Sequence, residues 1–478
     1  MTASTTTALS SCAERLAHRL VVTLVNLKMH VEEQVSEDVA ALIEDLGALA
    51  PACAPDPVRL VIGDEHLRFG NQPLLHSSLQ AGRLLRLCHE RAITAISFHP
   101  GLTDAELLRF LQLLTDAREQ QAFTPSHVEA ALKSRGISNL DVELSGRGDR
   151  RPGPAALGAA PQSGGEIRHY QAMADVLHDN HVAGFRGDNL EVGTAAGVVE
   201  QTISQLSDGP PGLLALAMHD NIDQFTVGHS VRVTLLALQV AHHLQAARQD
   251  LLRVGTAALF HDIGKSRIPQ HILFKQAALD DDERRIMATH ARLGGELLIE
   301  HGDVDSSAVG AAFCHHMGPR GAGYPDPTIP FEPSGISRLV RVCDVFEALT
   351  SVRPYKRAMS PLEAYSIMFG MKDSFDPRWL RTFIQCIGLY PAGSHITLDS
   401  GEEAVVTGAG PSLRQPRARL LSGNSDRPQE FTVGVPEEGV TRHIADLPRG
   451  DCRDEGHAPA DHGCGCDVDA ALRPTTPD

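Results

Sequence analysis

Large aromatic residues are scarce in this chain. Among 478 residues there are one Trp and five Tyr, and Phe, Trp and Tyr together make up 4%. The 42% of hydrophobic residues is therefore mostly aliphatic, yet enough for real cores. The length leaves room for about two to four domains. Positive charge is also short: 43 Lys and Arg stand against 60 Asp and Glu, a formal charge of −17. That balance argues against a generic binder of DNA or RNA duplexes, which needs a basic face for the phosphates. An anionic substrate would have to be held by local cations or metals. Long apolar runs are missing too, since Leu20–Leu27 is broken by Thr23 and Asn26 and is too short to span a bilayer. Met1–Leu9 is polar and rich in Thr, unlike a secretory signal. Nine cysteines, an odd number in a long chain, suit a reducing compartment better than a disulfide framework. The expectation is a soluble, cytoplasmic protein without membrane insertion.

The pattern divides the chain into five parts. Residues 10–145 read as a small α+β module, with helical periodicity over Ser11–Leu49 and a hairpin of Val58–Ile62 and His66–Phe69 around Gly63-Asp64-Glu65. Strands are expected at Ile93–Phe98 and Asn139–Leu144, with a helix capped by Thr103 or Asp104 between them. The module has no catalytic cluster, and its scattered His76, His89, His99 and His127 read as surface or satisfied core residues. A regulatory or dimerisation role is expected of it. Residues 146–166, loaded with Gly, Pro and Ala, read as a linker. Residues 167–390 read as mostly helical, opening with a lead-in whose Tyr170, Met173, Val176 and Leu177 share one apolar side. Residues 391–447 alternate like short strands between Gly and Pro turns and read as a small β appendage. Residues 448–478, including the run from His457 to Cys466, read as a disordered tail. The fold class is mainly α.

The helical block carries the chemistry. His229, His261-Asp262, His290, His315-His316 and Asp344 each lie in or at the edge of a stretch that reads as helix, and Lys265 follows one turn after Asp262. Neutral imidazoles with carboxylates suit Fe, Mn or Zn, and five histidines with two aspartates exceed what one ion needs. The set predicts two metal ions bridged by a carboxylate, an arrangement that attacks phosphate esters. Asp262 is the expected bridge. Adjacent residues on a helix point about 100° apart, so His315 and His316 are expected to serve different ions, or one an ion and the other substrate. Asp344 falls in an apolar helix, where an uncompensated carboxylate is expensive. Cys314 and Cys343 adjoin proposed ligands but read as small apolar side chains facing the core. Arg353 and Lys356 follow the Asp344 helix and suggest phosphate capture in so acidic a chain.

Together His229, His261-Asp262-Ile263-Gly264-Lys265, His290, His315-His316, Gly323-Tyr324-Pro325, Asp344 and Arg353-Pro354-Tyr355-Lys356 resemble, in order, an HD-GYP domain of the HD phosphohydrolases. The resemblance implies an all-helical domain holding Fe or Mn and hydrolysing cyclic di-GMP to pGpG or GMP. It implies attack on phosphorus by a metal-activated water, with Lys265 stabilising developing charge. Arg353 and Lys356 would hold phosphate oxygens, and Tyr324 would shape the pocket. Three-metal members carry Glu four residues before the first His, where this chain has Phe225, so two ions are expected. Members usually follow the His pair with Glu-Arg and place an Asp just before the first Gly of the next loop. Here those places read Met317-Gly318 and Arg320.

Two other readings stay open at this point. One is a cyclic di-GMP receptor or scaffold with weak or no turnover. The other is an HD phosphohydrolase for a different nucleotide. Cyclic di-GMP is the implied small-molecule partner. A diguanylate cyclase or other signalling protein, and a second copy of the chain, are the protein partners to consider.

Overall fold

The structure is a computed structural model. It describes the chain apart from residues 1–2, 30–31, 71, 117–122, 125, 146–163, 207–211, 219–225, 274, 276, 302, 327–331, 352–358, 372, 422–429, 437–440 and 447–478. Phe225, Arg353, Pro354, Tyr355, Lys356, most of the expected linker and the tail therefore lie outside the described residues. Two compact units emerge, Met1–Asp175 and Val176–Asp478.

The first unit contains α1 (Ala3–Met29), α2 (Glu32–Cys53), β1 (Val58–Ile62), β2 (Leu67–Phe69), β3 (Gln72–Leu74), α3 (Leu75–Gln80), α4 (Gly82–Glu90), β4 (Ile93–Phe98), α5 (Asp104–Thr115), α6 (Val128–Ser134) and β5 (Leu140–Leu144). The strands form one antiparallel sheet in the order β3-β2-β1-β4-β5. The hairpin of β1 and β2 and the strands β4 and β5 match the sequence reading. Strand β3 was not expected, because three residues show no alternation; its Pro73 is tolerated since β3 is an edge. Leu16, Leu20, Leu24, Leu42, Leu60 and Phe110 are buried in the core between helices and sheet. The helix α7 (Gly164–Arg186) starts in this unit and ends in the second, so the last three positions of the expected linker are helical.

The second unit continues with α8 (Val192–Leu206), α9 (Gly212–Ala217), α10 (Thr226–His243) and α11 (Arg248–Phe260), followed by a 3-10 turn, Ile263–Arg267. Next come α12 (Gln270–Leu273), α13 (Asp281–Ala288), α14 (His290–Glu300), α15 (Ser306–Cys314), α16 (Gly335–Thr350), α17 (Pro361–Gly370) and α18 (Pro377–Ile387). Helix α10 packs on α11 and α16, α11 on α8 and α15, and α14 on α15 and the 3-10 turn. The acidic start of α13 is a capping box, with Asp280 and Glu283 satisfying each other's backbone N–H. The unit ends in β6 (His395–Leu398), β7 (Glu403–Gly408), β8 (Arg417–Leu420), β9 (Glu430–Thr432) and β10 (Ile444–Asp446). These form a second antiparallel sheet, ordered β10-β6-β7-β8-β9, over a small core that includes Ile396, Val406 and Phe431. These short strands between turns match the alternation read over residues 391–447. No helix among the described residues is long and apolar enough to cross a membrane.

Glu106 ties the first unit together. One carboxylate oxygen accepts from the Thr103 N–H at 3.0 Å and the Thr103 hydroxyl at 2.9 Å, completing the cap of α5. The other accepts from the N–H and hydroxyl of Ser138, both at 2.9 Å, and so fixes the approach to β5. The Ser138 N–H is the largest influence holding this carboxyl well below the usual carboxylate range. Because the folded value is depressed, its stabilisation is fully present above the ordinary Glu value near 4.3 and is lost as pH falls. Glu106→Gln should lower the opening free energy of α5 and β5, read by native-state hydrogen exchange at pH 7, by about 1–3 kcal/mol. The gap between wild type and variant should narrow as pH drops below about 4. Equal protection at pH 7 would contradict this role.

Candidate metal centre

Each proposed ligand sits where a helix begins, ends or turns inward. His229 lies in the first turn of α10, and Asp344 lies in the middle of α16. His261 caps the C-terminus of α11, and Asp262 leads into the 3-10 turn that carries Lys265. His290 opens α14, while His315 caps α15 and is followed directly by His316. The 3-10 turn reaches α14 only because residue 264 is Gly. A Cβ there would stand 2.0 Å from the His290 carbonyl oxygen and 2.4 Å from the Gly294 nitrogen. Gly323 does the same for the next loop: its φ is +116° and a Cβ would meet the His316 carbonyl oxygen at 2.2 Å.

The ring nitrogens converge on Asp262, which is buried. Oδ2 lies 3.7 Å from His229 Nε2 and 3.4 Å from His261 Nε2. Oδ1 lies 3.3 Å from His290 Nε2 and 3.6 Å from His315 Nε2. Asp344 Oδ1 stands 3.1 Å from His229 Nε2, on the Oδ2 side. Ligand atoms close enough to hold an ion fall into the sets His229–His261–Asp344, His261–Asp262–His315 and His290–His315–His316. The two members of the His pair fall in one set with His290, and His315 also joins the set of His261 and Asp262.

Backbone carbonyls fix the tautomers. The Nδ1–H of His261 donates to Ala258 at 2.7 Å, that of His290 to Met287 at 2.7 Å, and that of His315 to Ala312 at 3.0 Å. Each Nε2 then presents a lone pair inward, the form a metal takes. The Nε2 atoms of His290 and His315 face each other at 3.2 Å, which two lone pairs tolerate poorly without a cation between them. His261 Nε2 and Asp262 Oδ1 are buried and make no hydrogen bond among the described residues. A donor set with orphaned lone pairs aimed at one another fits divalent metal, so these groups could hold metal ions.

Charge is arranged to match. Burial opposes ionisation of Asp262, yet Lys265 and the His261 ring hold its carboxyl well below the usual range. The Lys265 ammonium pairs directly with Asp262 Oδ2. His261 is pushed down to about 4, chiefly by burial, which keeps it neutral. His229 differs: burial would lower it, but Glu347 and Asp344 outweigh burial and hold it up at about 9. Burial pushes the Cys314 thiol up to about 11, and neither Cys314 nor Cys343 joins a ligand group among the described residues. Tyr324 stacks on the His316 ring, with centroids 4.4 Å apart and planes inclined by 29°.

An HD domain family model matches residues 216–379, the stretch that holds the whole ligand set. The cyclic di-GMP phosphodiesterase PA4108 of Pseudomonas aeruginosa is 31% identical over 280 residues, covering 58% of this chain and 66% of that protein. The cyclic di-GMP phosphodiesterase response regulator RpfG of Xanthomonas campestris is 38% identical over 154 residues, 31% of this chain and 39% of that protein. The 3'3'-cGAMP-specific phosphodiesterase 3 of Vibrio cholerae is 32% identical over 168 residues, 35% of this chain and 36% of that protein. The chain is an HD-GYP domain protein. It spans just under two thirds of the first relative's length and under two fifths of the other two.

Around the HD-GYP ligand set lie partners that the sequence reading missed. Glu347 accepts from His229 Nδ1 and, through its other oxygen, from the Arg232 guanidinium and from the Ser351 hydroxyl at 2.7 Å. The signal was available: Asp344-x-x-Glu347 and His229-x-x-Arg232 place each pair on one helix face. His181, on α7, buries an Nε2 that makes no hydrogen bond among the described residues, and nothing in its local sequence marks it. Arg320, whose charge departs from the family pattern, pairs with Asp373. Glu347→Gln keeps the volume but removes the charge that orients His229 and balances Arg232. Metal affinity, measured by competition with a chromophoric chelator, should fall about 10–100-fold. Unchanged affinity would show that Glu347 does not support the ligand.

Proposed function

We propose that this protein is a metal-dependent phosphodiesterase that hydrolyses cyclic di-GMP to pGpG, GMP or both, in the bacterial cytoplasm. The observation that carries the reading is the division of ring nitrogens between the two oxygens of Asp262. His229, His261 and Asp344 would hold one ion on the Oδ2 side. His290, His315 and His316 would hold the other on the Oδ1 side, with Asp262 shared. Mixed imidazole and carboxylate donors suit Fe or Mn. A pair of such ions, when bound, supplies Lewis-acid polarisation of the phosphate and a water acidic enough to attack near neutral pH.

The remaining groups act on the substrate. Lys265 sits beside Asp262, where its ammonium can stabilise charge that builds on the departing ribose 3′ oxygen. Tyr324, stacked on His316, walls the pocket, and Arg353 and Lys356 are assigned to phosphate oxygens from the sequence. The names of the relatives support a cyclic dinucleotide, with cyclic di-GMP in two and 3'3'-cGAMP in the third. A second reading, a receptor without turnover, draws on Met317, a fully buried thioether where the family usually has Glu.

The test is turnover of cyclic di-GMP and 3'3'-cGAMP by protein purified anaerobically, with bound Fe and Mn quantified. Metal-dependent hydrolysis is expected, with cyclic di-GMP preferred, and Asp262→Ala should lose metal and reduce kcat by about 10³-fold or more. Tight dinucleotide binding with two metals bound and no turnover would replace this reading with the receptor.

A further inference from the structure

Several described cations on the elements and loops around the metal centre are held by carboxylates. Arg232 pairs with Glu347 and Lys265 with Asp262. Arg320 pairs with Asp373, and Arg338 with Glu332 and Asp376. Arg341 is different. It lies on α16 one turn before Asp344 and has no carboxylate at ion-pair distance among the described residues.

Its side chain is nevertheless held firmly. Nε donates to the Ser374 carbonyl at 2.6 Å and Nη1 to the His315 carbonyl at 3.2 Å, while the guanidinium lies 5.5 Å from the centre of the Phe375 ring. Nη2 makes no hydrogen bond among the described residues. Its contact with the His315 carbonyl and its place one turn before Asp344 on α16 set the guanidinium beside the ligand cluster. Holding a half-buried guanidinium by carbonyls alone fixes its position without neutralising its charge. Such a group is preorganised for an anion.

We propose that Arg341 binds a phosphate of the substrate, namely the phosphate next to the one that reacts at the metal centre. This rests on the cyclic dinucleotide reading above, since only a substrate with two phosphates can meet both. The offset of one helical turn, about 5 Å along α16, separates Arg341 from the ligand Asp344.

Steady-state kinetics of Arg341→Gln and Arg341→Lys, with metal content measured in each, test the assignment. For Arg341→Gln the KM for cyclic di-GMP should rise about 10–100-fold, the loss of one charge-assisted hydrogen bond. The rise should be smaller for bis(p-nitrophenyl) phosphate, which has a single phosphate. Metal content should match the wild type, and Arg341→Lys should recover part of the KM. An unchanged KM for the dinucleotide, an equal rise with both substrates, or loss of metal in both variants would overturn the assignment. A wild type that neither binds nor cleaves the dinucleotide would overturn the underlying reading, and this one with it.

Discussion

A carboxylate sealed among imidazole rings is stable only if positive charge reaches it, and Asp262 is in that position. It is buried, it faces four ring nitrogens, and one of its oxygens makes no hydrogen bond among the described residues. Lys265 answers one oxygen. The other, with the inward lone pairs of His290 and His315, asks for a cation that none of the described residues provides. The packing of the second unit serves this point: α10, α11, α14, α15 and α16 each deliver one end or one face to it.

The supporting contacts explain why the ligands hold still. Three histidines are locked by carbonyls three residues earlier in the chain, so the local backbone sets each tautomer. His229 alone relies on a charged partner, Glu347, which in turn needs Arg232. Gly264 and Gly323 let backbone pass where a Cβ would strike the carbonyls of His290 and His316. Small residues thus fix the distance between ligand-bearing segments as firmly as the ligands themselves.

Much of this was legible in the sequence. The ligand set stands out because His and Asp recur at helix ends within an apolar, helical block, and the hairpin at Val58–Phe69 shows through its alternation and turn. Strand β3 has three residues, too few to carry a period. That His315 and His316 both lie beside His290 was hidden because it depends on how α14 packs against α15. Glu347 could have been found by spacing. Arg341 could not, because its distinction is that carbonyls and no carboxylate hold it among the described residues, a property of the fold.

The most direct test of a centre bridged by Asp262 is anomalous scattering from crystals of the manganese-loaded protein. Two peaks about 3.5–4 Å apart are expected. One should lie beside His229, His261 and Asp344, the other beside His290, His315 and His316, with Asp262 reaching both. A single peak, or two peaks with Asp262 touching only one of them, would contradict the account.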